Sequence, residues 1–286
     1  MSLSKKAYTS VQRVLRNRTL KVALNKVWQE IHDELGVGDL SSRHLNLSLH
    51  DHARLREWFE LDAGADPLTT DITGNRLEAA SLVRDEKWAT ESVFSGLMKV
   101  NVISGTVPLT QGEATTPTGT LLEVNANNVL VDRIKAVVLV ENGIVARHWH
   151  QCRIPAELSN ALMVYRGHGN ESVKCVREWI DSLPQSVMKV GYFDFDPAGI
   201  GIAIDYRMDA ILIPDPLSER LIEGVNNKRE SHDAQLAHRP RLGEQLPASL
   251  HKVWSWMTEN NRKCAVTQER LLVMDWSLRI LSLRGT

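Results

Sequence analysis

The chain has 286 residues, of which 43% are hydrophobic and 24% charged, and its formal net charge is −1. These values exclude a disordered, collagen-like or low-complexity chain, and the length allows one large domain or two to three smaller ones. Three widely spaced cysteines without a CxxC pair argue against a disulfide framework or a zinc site, and reduced thiols suit the cytoplasm. No apolar run has the length of a signal peptide or of a membrane-spanning helix, so no membrane association is expected.

The first 26 residues are strongly basic, with seven Lys or Arg and no acid: Lys5, Lys6, Arg13, Arg16, Arg18, Lys21 and Lys26. Apolar residues at helical spacing predict two helices here, broken near Asn17–Thr19, the second ending at Leu35–Gly38. Such helices suit salt-dependent contact with DNA phosphates, and a solvated helix face is the equal alternative. Truncating residues 1–26 is therefore expected to weaken DNA binding more than it disturbs a site elsewhere.

The pattern changes twice along the rest of the chain. Short helices are expected over His52–Phe59 and Arg76–Trp88, and strands within 97–109 and 120–131. From residue 136 apolar strands alternate with helices: the strands are 136–141, 161–166, 188–196 and 209–215, and the helices between them are 143–151, 171–183 and 199–206. This alternation is typical of an α/β fold with a doubly wound, mostly parallel sheet. A polar stretch and a final helical region follow.

Three acidic residues fall at the ends of predicted strands. Glu141 closes the first strand of the α/β segment, and Asp194 and Asp196 close the third. Ligands of open parallel sheets bind at the carboxyl ends of strands, and strand geometry would separate the two aspartate Cα atoms by roughly 6–7 Å. Because clustered carboxylates repel one another, a hard divalent cation such as Mg²⁺ or Mn²⁺ is expected there, serving phosphoryl transfer or phosphodiester cleavage. An alternative role for Asp196 is to cap the helix that starts at Pro197.

The segments VVLVEN, VYRGHGNESVKCVREWI and GYFDFDPAGIGIAIDY together resemble a Toprim domain. The Asp-Pro-Ala-Gly turn at 196–199 and the Gly-His-Gly turn at 167–169 are similar to those of the type IIB topoisomerase A subunit and of the JetD and MksG nucleases of Wadjet-type plasmid defence. The C-terminal VTQERLL at 266–272 is similar to a Gln-Glu-Arg signature of JetD-like chains. The resemblance covers 136–215 closely and 1–135 in layout alone.

The resemblance implies an α/β C-terminal Toprim domain that follows an N-terminal, α-rich, winged-helix-like region. The implied domains are a helical region for DNA or partner binding over 1–95, a β-rich connector over 96–135, a Toprim catalytic core over 136–215 and a helical extension over 216–286.

The resemblance also implies roles for individual residues. Asp194 and Asp196 would hold Mg²⁺ or Mn²⁺, and Glu141 would be a further ligand or the general base for water. His168 would contact a phosphate or protonate the leaving group, with a plain turn residue as the equal alternative. Lys174 would reach DNA or remain a solvated surface lysine. Glu269 would assist a second metal or, as we favour here, pair with an arginine such as Arg270.

The expected activity is a Mg²⁺- or Mn²⁺-dependent DNA endonuclease. Its expected partners are double-stranded plasmid DNA, an SMC-like ATPase complex with kleisin and accessory subunits, and a second copy in a homodimer; its location is the cytoplasm, associated with the nucleoid. Two alternatives stay open. A topoisomerase-like cleavage subunit needs a tyrosine nucleophile ahead of the Toprim segment, and Tyr8 is the only tyrosine there. A non-catalytic DNA-binding Toprim module would need no metal.

Overall fold

The computed structural model of the chain describes residues 4–91 and 95–284. The chain divides into two compact units, Met1–Val93 and Phe94–Thr286. Each unit has its own cluster of buried apolar side chains. No helix in the described part of the chain is long and apolar enough to cross a membrane.

The first unit combines helices with a small antiparallel sheet. Its helices are α1 (Lys5–Asn17), α2 (Lys26–Leu35), α3 (Leu49–Ala63) and α4 (Arg76–Leu82), and its strands are β1 (Lys21–Ala23), β2 (Asp39–Ser41) and β3 (His44–Asn46), in the order β1-β3-β2. The two predicted N-terminal helices are present, but the second begins later than expected, because β1 occupies Lys21–Ala23 between them. Arg18, in the left-handed conformation, ends α1, and Gly36 ends α2 in the same way.

Local sequence signals explain where two of these helices lie. Ser48 and Asp51 form a capping box, so α3 begins before the predicted His52 and runs on to Gly64. The predicted helix over Arg76–Trp88 is shorter than expected: α4 ends at Leu82, and a 3₁₀ turn covers Glu86–Trp88. The apolar face of α1 lies in the core of this unit, with Tyr8 and Val11 almost completely buried.

Residues 95–284 form a seven-stranded sheet. Its strands are β4 (Leu97–Asn101), β7 (Leu122–Asn125), β8 (Ala136–Val140), β9 (Leu162–Tyr165), β10 (Met188–Tyr192), β11 (Ala210–Pro214) and β12 (Leu278–Ser282). The order across the sheet is β12-β11-β10-β8-β9-β4-β7. The four central strands pair in parallel, as the sequence predicts, and the outer strands pair antiparallel. A separate hairpin joins β5 (Val107–Leu109) to β6 (Gly112–Ala114).

Helices connect the parallel strands. These are α5 (Gly143–Arg147), α6 (Asn170–Ser182) and α7 (Pro197–Asp205); later come α8 (Glu219–Gly224), α9 (His232–His238), α10 (Ala248–Thr258) and α11 (Gln268–Val273). The central strands are almost continuously apolar because helices and loops cover them, which is the pattern that parallel strands require. The predicted mixed α/β fold is therefore confirmed.

The edges of the sheet differ from the expectation. The segment 96–135 is not a separate connector, because β4 pairs with β9 and β7 pairs with β4 in the same sheet. The C-terminal region is not purely helical, because β12 pairs with all five residues of β11. Leu278 and Leu283 of this terminal segment are buried, so closing the apolar edge at β11 supplies the physical reason.

The strand order fixes where a site is expected. The chain passes from β8 to β9 on one side, and then returns to β10 on the other side of β8. Such a reversal leaves a crevice outside the carboxyl ends of the two strands, where open α/β sheets bind ligands. Glu141 follows β8 and Asp194 follows β10, so both lie at this reversal.

Candidate active site

Glu141 and Asp194 meet at the carboxyl ends of β8 and β10. Val140 and Tyr192 are the last paired residues of these strands. The Glu141 backbone N–H donates to the Tyr192 carbonyl at 3.2 Å. The Asp194 backbone N–H in turn faces the Glu141 Oε2 atom at 3.4 Å. Strand pairing thus brings together two of the acids that the sequence singles out.

Asp194 and Asp196 do not lie on a strand, contrary to the prediction that β10 runs to residue 196. The strand ends at Tyr192, and Asp196 is the N-cap of α7. Its Oδ1 atom accepts from the Gly199 N–H at 2.7 Å, and its Oδ2 atom accepts from Gln235 Nε2 at 2.7 Å. Asp196 is only 5% exposed. The capping role weighed from the sequence is therefore real, and the carboxylate still lies close enough to raise the pKa of Asp194 and of Glu141.

The start of α11 supplies a third part of the site. Gln268 is completely buried, and its backbone N–H donates to Asp194 Oδ1 at 2.9 Å. Its side-chain Oε1 accepts from the Asn142 N–H at 2.8 Å, and its Nε2 donates to the Tyr192 carbonyl. One glutamine thus joins the segment after β8, the end of β10 and α11.

Glu269 belongs to the site rather than to a surface ion pair. Its Oε1 atom accepts a hydrogen bond from Asn142 Nδ2, and its charge raises the pKa of both Asp194 and Glu141. The expectation that Glu269 pairs with Arg270 is wrong: Arg270 Nη2 donates instead to the Gly224 carbonyl. The physical reason is that α11 begins over the sheet edge, where its first-turn acid meets the side chain that follows Glu141.

The clustered charges make the site hold protons unusually strongly. The pKa of Asp194 is raised to about 7, mainly by burial and also by the charges of Glu141, Asp196 and Glu269, while the hydrogen bond from the Gln268 N–H acts in the opposite direction. Burial also raises the pKa of Glu141, while Arg166 lowers it. Carboxyl groups with such perturbed pKa values at a crevice are typical of functional sites.

Arg166 supplies a positive charge at the edge of the carboxylate cluster. It directly follows β9, and its Nη2 donates to Glu141 Oε1 at 3.0 Å. The two side chains are 26% and 23% exposed. Arg166 therefore forms an ion pair with one of the four carboxylates, Glu141. This contact does not neutralise Asp194, Asp196 or Glu269.

The donor chemistry of this cluster fits a hard divalent cation. Four carboxylates and the carbonyl groups around them are the oxygen ligands that Mg²⁺ and Mn²⁺ prefer, and a cation would relieve the repulsion seen in the raised pKa values. Within residues 4–91 and 95–284, no three His, Cys, Asp or Glu side chains form a ready metal-binding group. The carboxylate oxygens of the cluster contact Arg166, Gln235, Asn142 and backbone N–H groups instead. Binding of a divalent cation would therefore require side-chain rotations.

His168 and Lys174 lie beside the carboxylate cluster rather than in it. His168 is exposed in the Gly-His-Gly turn, and its Nδ1 atom lies 3.4 Å from the Tyr165 hydroxyl. Lys174 is 75% exposed and forms a weak helical ion pair with Glu178 at 3.7 Å. Both residues line one groove with Arg166.

The basic N-terminal residues divide into two groups. Lys5 donates to the Trp88 carbonyl, and Arg16 pairs with Asp71 at 2.8 Å, so these two stabilise the first unit. Four others are exposed and form no ion pair within the described part of the chain: Lys6, Arg13, Arg18 and Lys21. Lys26 lies 3.9 Å from Glu30.

Sequence reasoning missed four residues of the site. Asn142, Arg166 and Gln268 were not assigned roles, although Asn142 lies two residues after β8, Arg166 directly follows β9 and Gln268 belongs to the Gln-Glu-Arg segment. Position after a strand was thus a usable signal for the first two. Gln235 had none, since it lies on α9 in a polar stretch and reaches Asp196 from 39 positions away.

Comparison with known proteins gives a family without an assigned activity. No curated protein matches the chain. The family model described as "Domain of unknown function (DUF7281)" matches residues 95–280, which is more than half of the chain and contains all of the carboxylate cluster, so the chain belongs to this DUF7281 family.

Proposed function

We propose that the protein is a Mg²⁺- or Mn²⁺-dependent DNA endonuclease that hydrolyses phosphodiester bonds. The observation that carries this proposal is the cluster of Glu141, Asp194, Asp196 and Glu269 at the reversal of strand order, with the pKa of Asp194 raised to about 7. Mutually repelling buried carboxylates weaken a fold unless a cation or a proton compensates them. Divalent ions at such sites serve phosphoryl chemistry.

The resemblance to Toprim domains supports the same activity. The central strands have the order β9-β8-β10-β11, with the glutamate after the first strand in sequence and the Asp-x-Asp after the third. The Gln-Glu-Arg segment packs against these acids through Gln268 and Glu269, a contact that fits its resemblance to the signature of JetD-like chains. Within that resemblance, the JetD and MksG nucleases fit better than a topoisomerase subunit does.

The residues of this chain would divide the work as follows. Asp194, Asp196 and Glu269 would hold the ion, and Gln268 would keep Asp194 in place through its backbone N–H. The ion would supply charge neutralisation of the scissile phosphate and a lowered pKa for water. Glu141, whose pKa is raised, would accept the proton of the attacking water at a carboxylate oxygen. The Arg166 guanidinium would leave Glu141 and donate hydrogen bonds to a phosphate oxygen of the DNA.

The same resemblance supplies the proposed partners. Double-stranded plasmid DNA would be the substrate, delivered by an SMC-like ATPase complex with kleisin and accessory subunits, and two copies would act as a homodimer on the two strands at the nucleoid. In the first unit, the exposed basic residues of α1 and β1, among them Lys6, Arg13 and Lys21, support the proposed contact with DNA or a partner.

A topoisomerase-like subunit is the second candidate, and the position of Tyr8 weighs against it. Tyr8 is 1% exposed, its hydroxyl faces the Thr70 carbonyl at 3.3 Å, and burial raises its pKa to about 12. A nucleophilic tyrosine must reach the phosphate and lose its proton. A covalent protein–DNA adduct that disappears in Tyr8→Phe would favour this candidate.

A non-catalytic DNA-binding module, the third candidate, would bind DNA and show no calorimetric signal with Mn²⁺.

The direct test is nicking of supercoiled plasmid by purified protein with Mn²⁺. We expect Asp194→Asn and Asp196→Asn each to reduce nicking by at least about 100-fold, because each removes a carboxylate from the ion site. Asp132→Asn is the matched control, since Asp132 is an exposed acid near the opposite end of β8. Equal nicking by the wild type and both site variants would mean that the activity comes from elsewhere and that the proposal is wrong.

A further inference from the structure

A groove beside the carboxylate cluster, which we call the α6–α7 groove, contains several cationic side chains. The Lys, Arg, His and Asp side chains of its lining are Arg166, His168, Lys174, Arg177, Asp205 and Arg239. These residues come from the turn after β9, from α6, from α7 and from the residue after α9. Its described lining residues include four Lys or Arg and one carboxylate. Arg166, Lys174 and Arg239 each also form an ion pair, with Glu141, Glu178 and Asp205 respectively, and Arg177 forms none among the described residues.

Asp205 holds two of these cationic side chains in place and neutralises only part of the positive charge of the lining residues. Its backbone carbonyl accepts from Arg177 Nη1, and its carboxylate accepts from Arg239 Nη2 at 2.5 Å. The Arg177 guanidinium also lies over the Tyr206 ring, with 4.0 Å between Cζ and the ring centroid. Both guanidinium groups are thereby held in place and keep further N–H donors.

Arg239 also packs over α7 beside Gly201, where a Cβ atom would lie 2.7 Å from its Nη1 atom. Preorganised arginines lose little side-chain entropy when they bind an anion. Lys174, which is 75% exposed, adds a further charge on the neighbouring helix α6, where it forms a surface ion pair with Glu178 at 3.7 Å.

Arg166 joins the groove to the carboxylate cluster. The same side chain lines the groove and contacts Glu141 at 3.0 Å. An anion in the groove is thus adjacent to the site where the scissile bond is expected. Open grooves with several cations in succession bind the backbone of nucleic acids.

We propose that the α6–α7 groove binds the DNA backbone beside the bond to be cut, through the phosphates that flank the scissile one. This inference rests on the proposed nuclease function and adds the path that the DNA strand takes over the protein beside the bond to be cut. It also moves part of the DNA contact from the basic N-terminal residues to the unit that carries the carboxylates. Lys174, Arg177 and Arg239 are the phosphate-binding residues.

The test measures DNA binding without metal, so that cleavage plays no part. Fluorescence anisotropy of a labelled 30-base-pair duplex in EDTA gives Kd over a range of salt concentrations. For Lys174→Ala with Arg177→Ala we expect Kd to rise by about tenfold near physiological salt, and the slope of log K against log salt to become shallower by about 2, one for each lost phosphate contact. Arg133→Ala with Arg220→Ala is the matched control of equal charge, on exposed arginines outside the groove, and should leave both values unchanged.

Lys174→Glu guards against a folding artefact, because this side chain is 75% exposed and its ion pair with Glu178 is a weak surface contact. It should raise Kd by about fivefold or more with an unchanged melting temperature. Wild-type affinity and salt slope in both groove variants would overturn the inference, even if plasmid is still nicked. Weakened binding specific to the groove variants would support it, even if Asp194→Asn cleaves as well as the wild type and the nuclease assignment fails.

Discussion

Asp194 is the residue whose chemistry depends most on its surroundings. Burial and three nearby carboxylates raise its pKa to about 7, against an ordinary value near 3.8. Between about pH 4 and pH 7, the folded protein therefore keeps a proton on Asp194 that the unfolded chain has lost. Because the unfolded chain binds fewer protons in this range, stability falls as the pH rises from about 4 to 7 and stays lower above 7.

Asp194→Asn should remove this pH dependence. Asparagine keeps an acceptor for the Gln268 N–H and carries no charge, so in EDTA at pH 8 the free energy of unfolding should rise by about 2 kcal/mol over the wild type. The gain should shrink as the pH is lowered toward 4, where the wild-type carboxyl is protonated too. Urea unfolding at several pH values measures both effects. A gain that is the same at pH 5 and pH 8 would contradict the charge argument.

Gln268 is the second residue on which the site depends. Gln268→Ala should lower the free energy of unfolding by about 2 kcal/mol, because it leaves the Asn142 N–H without its buried acceptor. It should also weaken Mn²⁺ binding in calorimetry, since Asn142 positions Glu269. Gln151→Ala, at an exposed glutamine, is the control and should change stability by less than about 0.5 kcal/mol. Unchanged Mn²⁺ affinity in Gln268→Ala would show that Gln268 does not position the ion site through Asn142.

At the scale of the element, α7 carries two functions at one position. Asp196 caps the helix through Gly199 and also contributes charge to the site. The helix begins with the Pro197 that fits its first turn, so the aspartate before it is placed at the sheet edge by the same local signals that start the helix. Gln235 on α9 holds the other carboxylate oxygen, and its own Oε1 atom is buried without a partner in the described residues.

Two substitutions at Asp196 should separate these functions. Asp196→Asn keeps an oxygen for the cap, and its Nδ2 can donate to Gln235 Oε1 once the Gln235 amide turns over, so stability should stay within about 0.5 kcal/mol while Mn²⁺-dependent nicking is lost. Asp196→Ala should lose the same activity and also about 1 kcal/mol through the missing cap. Thermal unfolding and plasmid nicking of the two variants side by side give the answer. An alanine variant as stable as the asparagine variant would mean that the cap contributes nothing.

At the scale of the whole molecule, the small net charge hides an uneven distribution. Residues 1–26 carry seven basic residues and no acid, whereas residues 27–93 of the same unit carry 6 basic and 14 acidic residues. Truncation of residues 1–26 no longer tests the N-terminal charge, because Tyr8, Val11 and Leu15 of α1 form the core of the first unit. Charge must be removed from the surface of α1 and β1 instead.

The variant Lys6→Ala with Arg13→Ala and Lys21→Ala removes three exposed charges and leaves the core of the first unit intact. If these residues contact DNA, the salt slope of binding should become shallower by about 2 to 3, and the cleavage rate at saturating DNA should stay unchanged. Anisotropy and single-turnover nicking measure the two quantities. An unchanged slope would identify these residues as a solvated helix face.

The central fold and part of the site follow from sequence patterns that are local. Runs of apolar, β-branched residues alternating with helices predicted the four parallel strands, and the positions after β8 and β10 predicted Glu141 and Asp194 as neighbours. Such patterns are readable because a buried parallel strand needs apolar side chains on both faces, whatever its partners are. The Asp-Pro sequence predicted a helix start in the same way.

Only the tertiary structure decided the rest. The Gln268 N–H reaches Asp194 across 74 positions, and Gln235 reaches Asp196 across 39, so no short window of sequence contains these contacts. From the sequence, β4 and β7 were placed in a separate connector and β12 in a helical region. The sequence did not reveal their places in the sheet, because these depend on which edge of the sheet is left unpaired. By itself, the sequence determined a parallel sheet with acids at its carboxyl edge. Packing of distant segments decided which acids share a charge environment, because electrostatic coupling depends on distance in space and on burial.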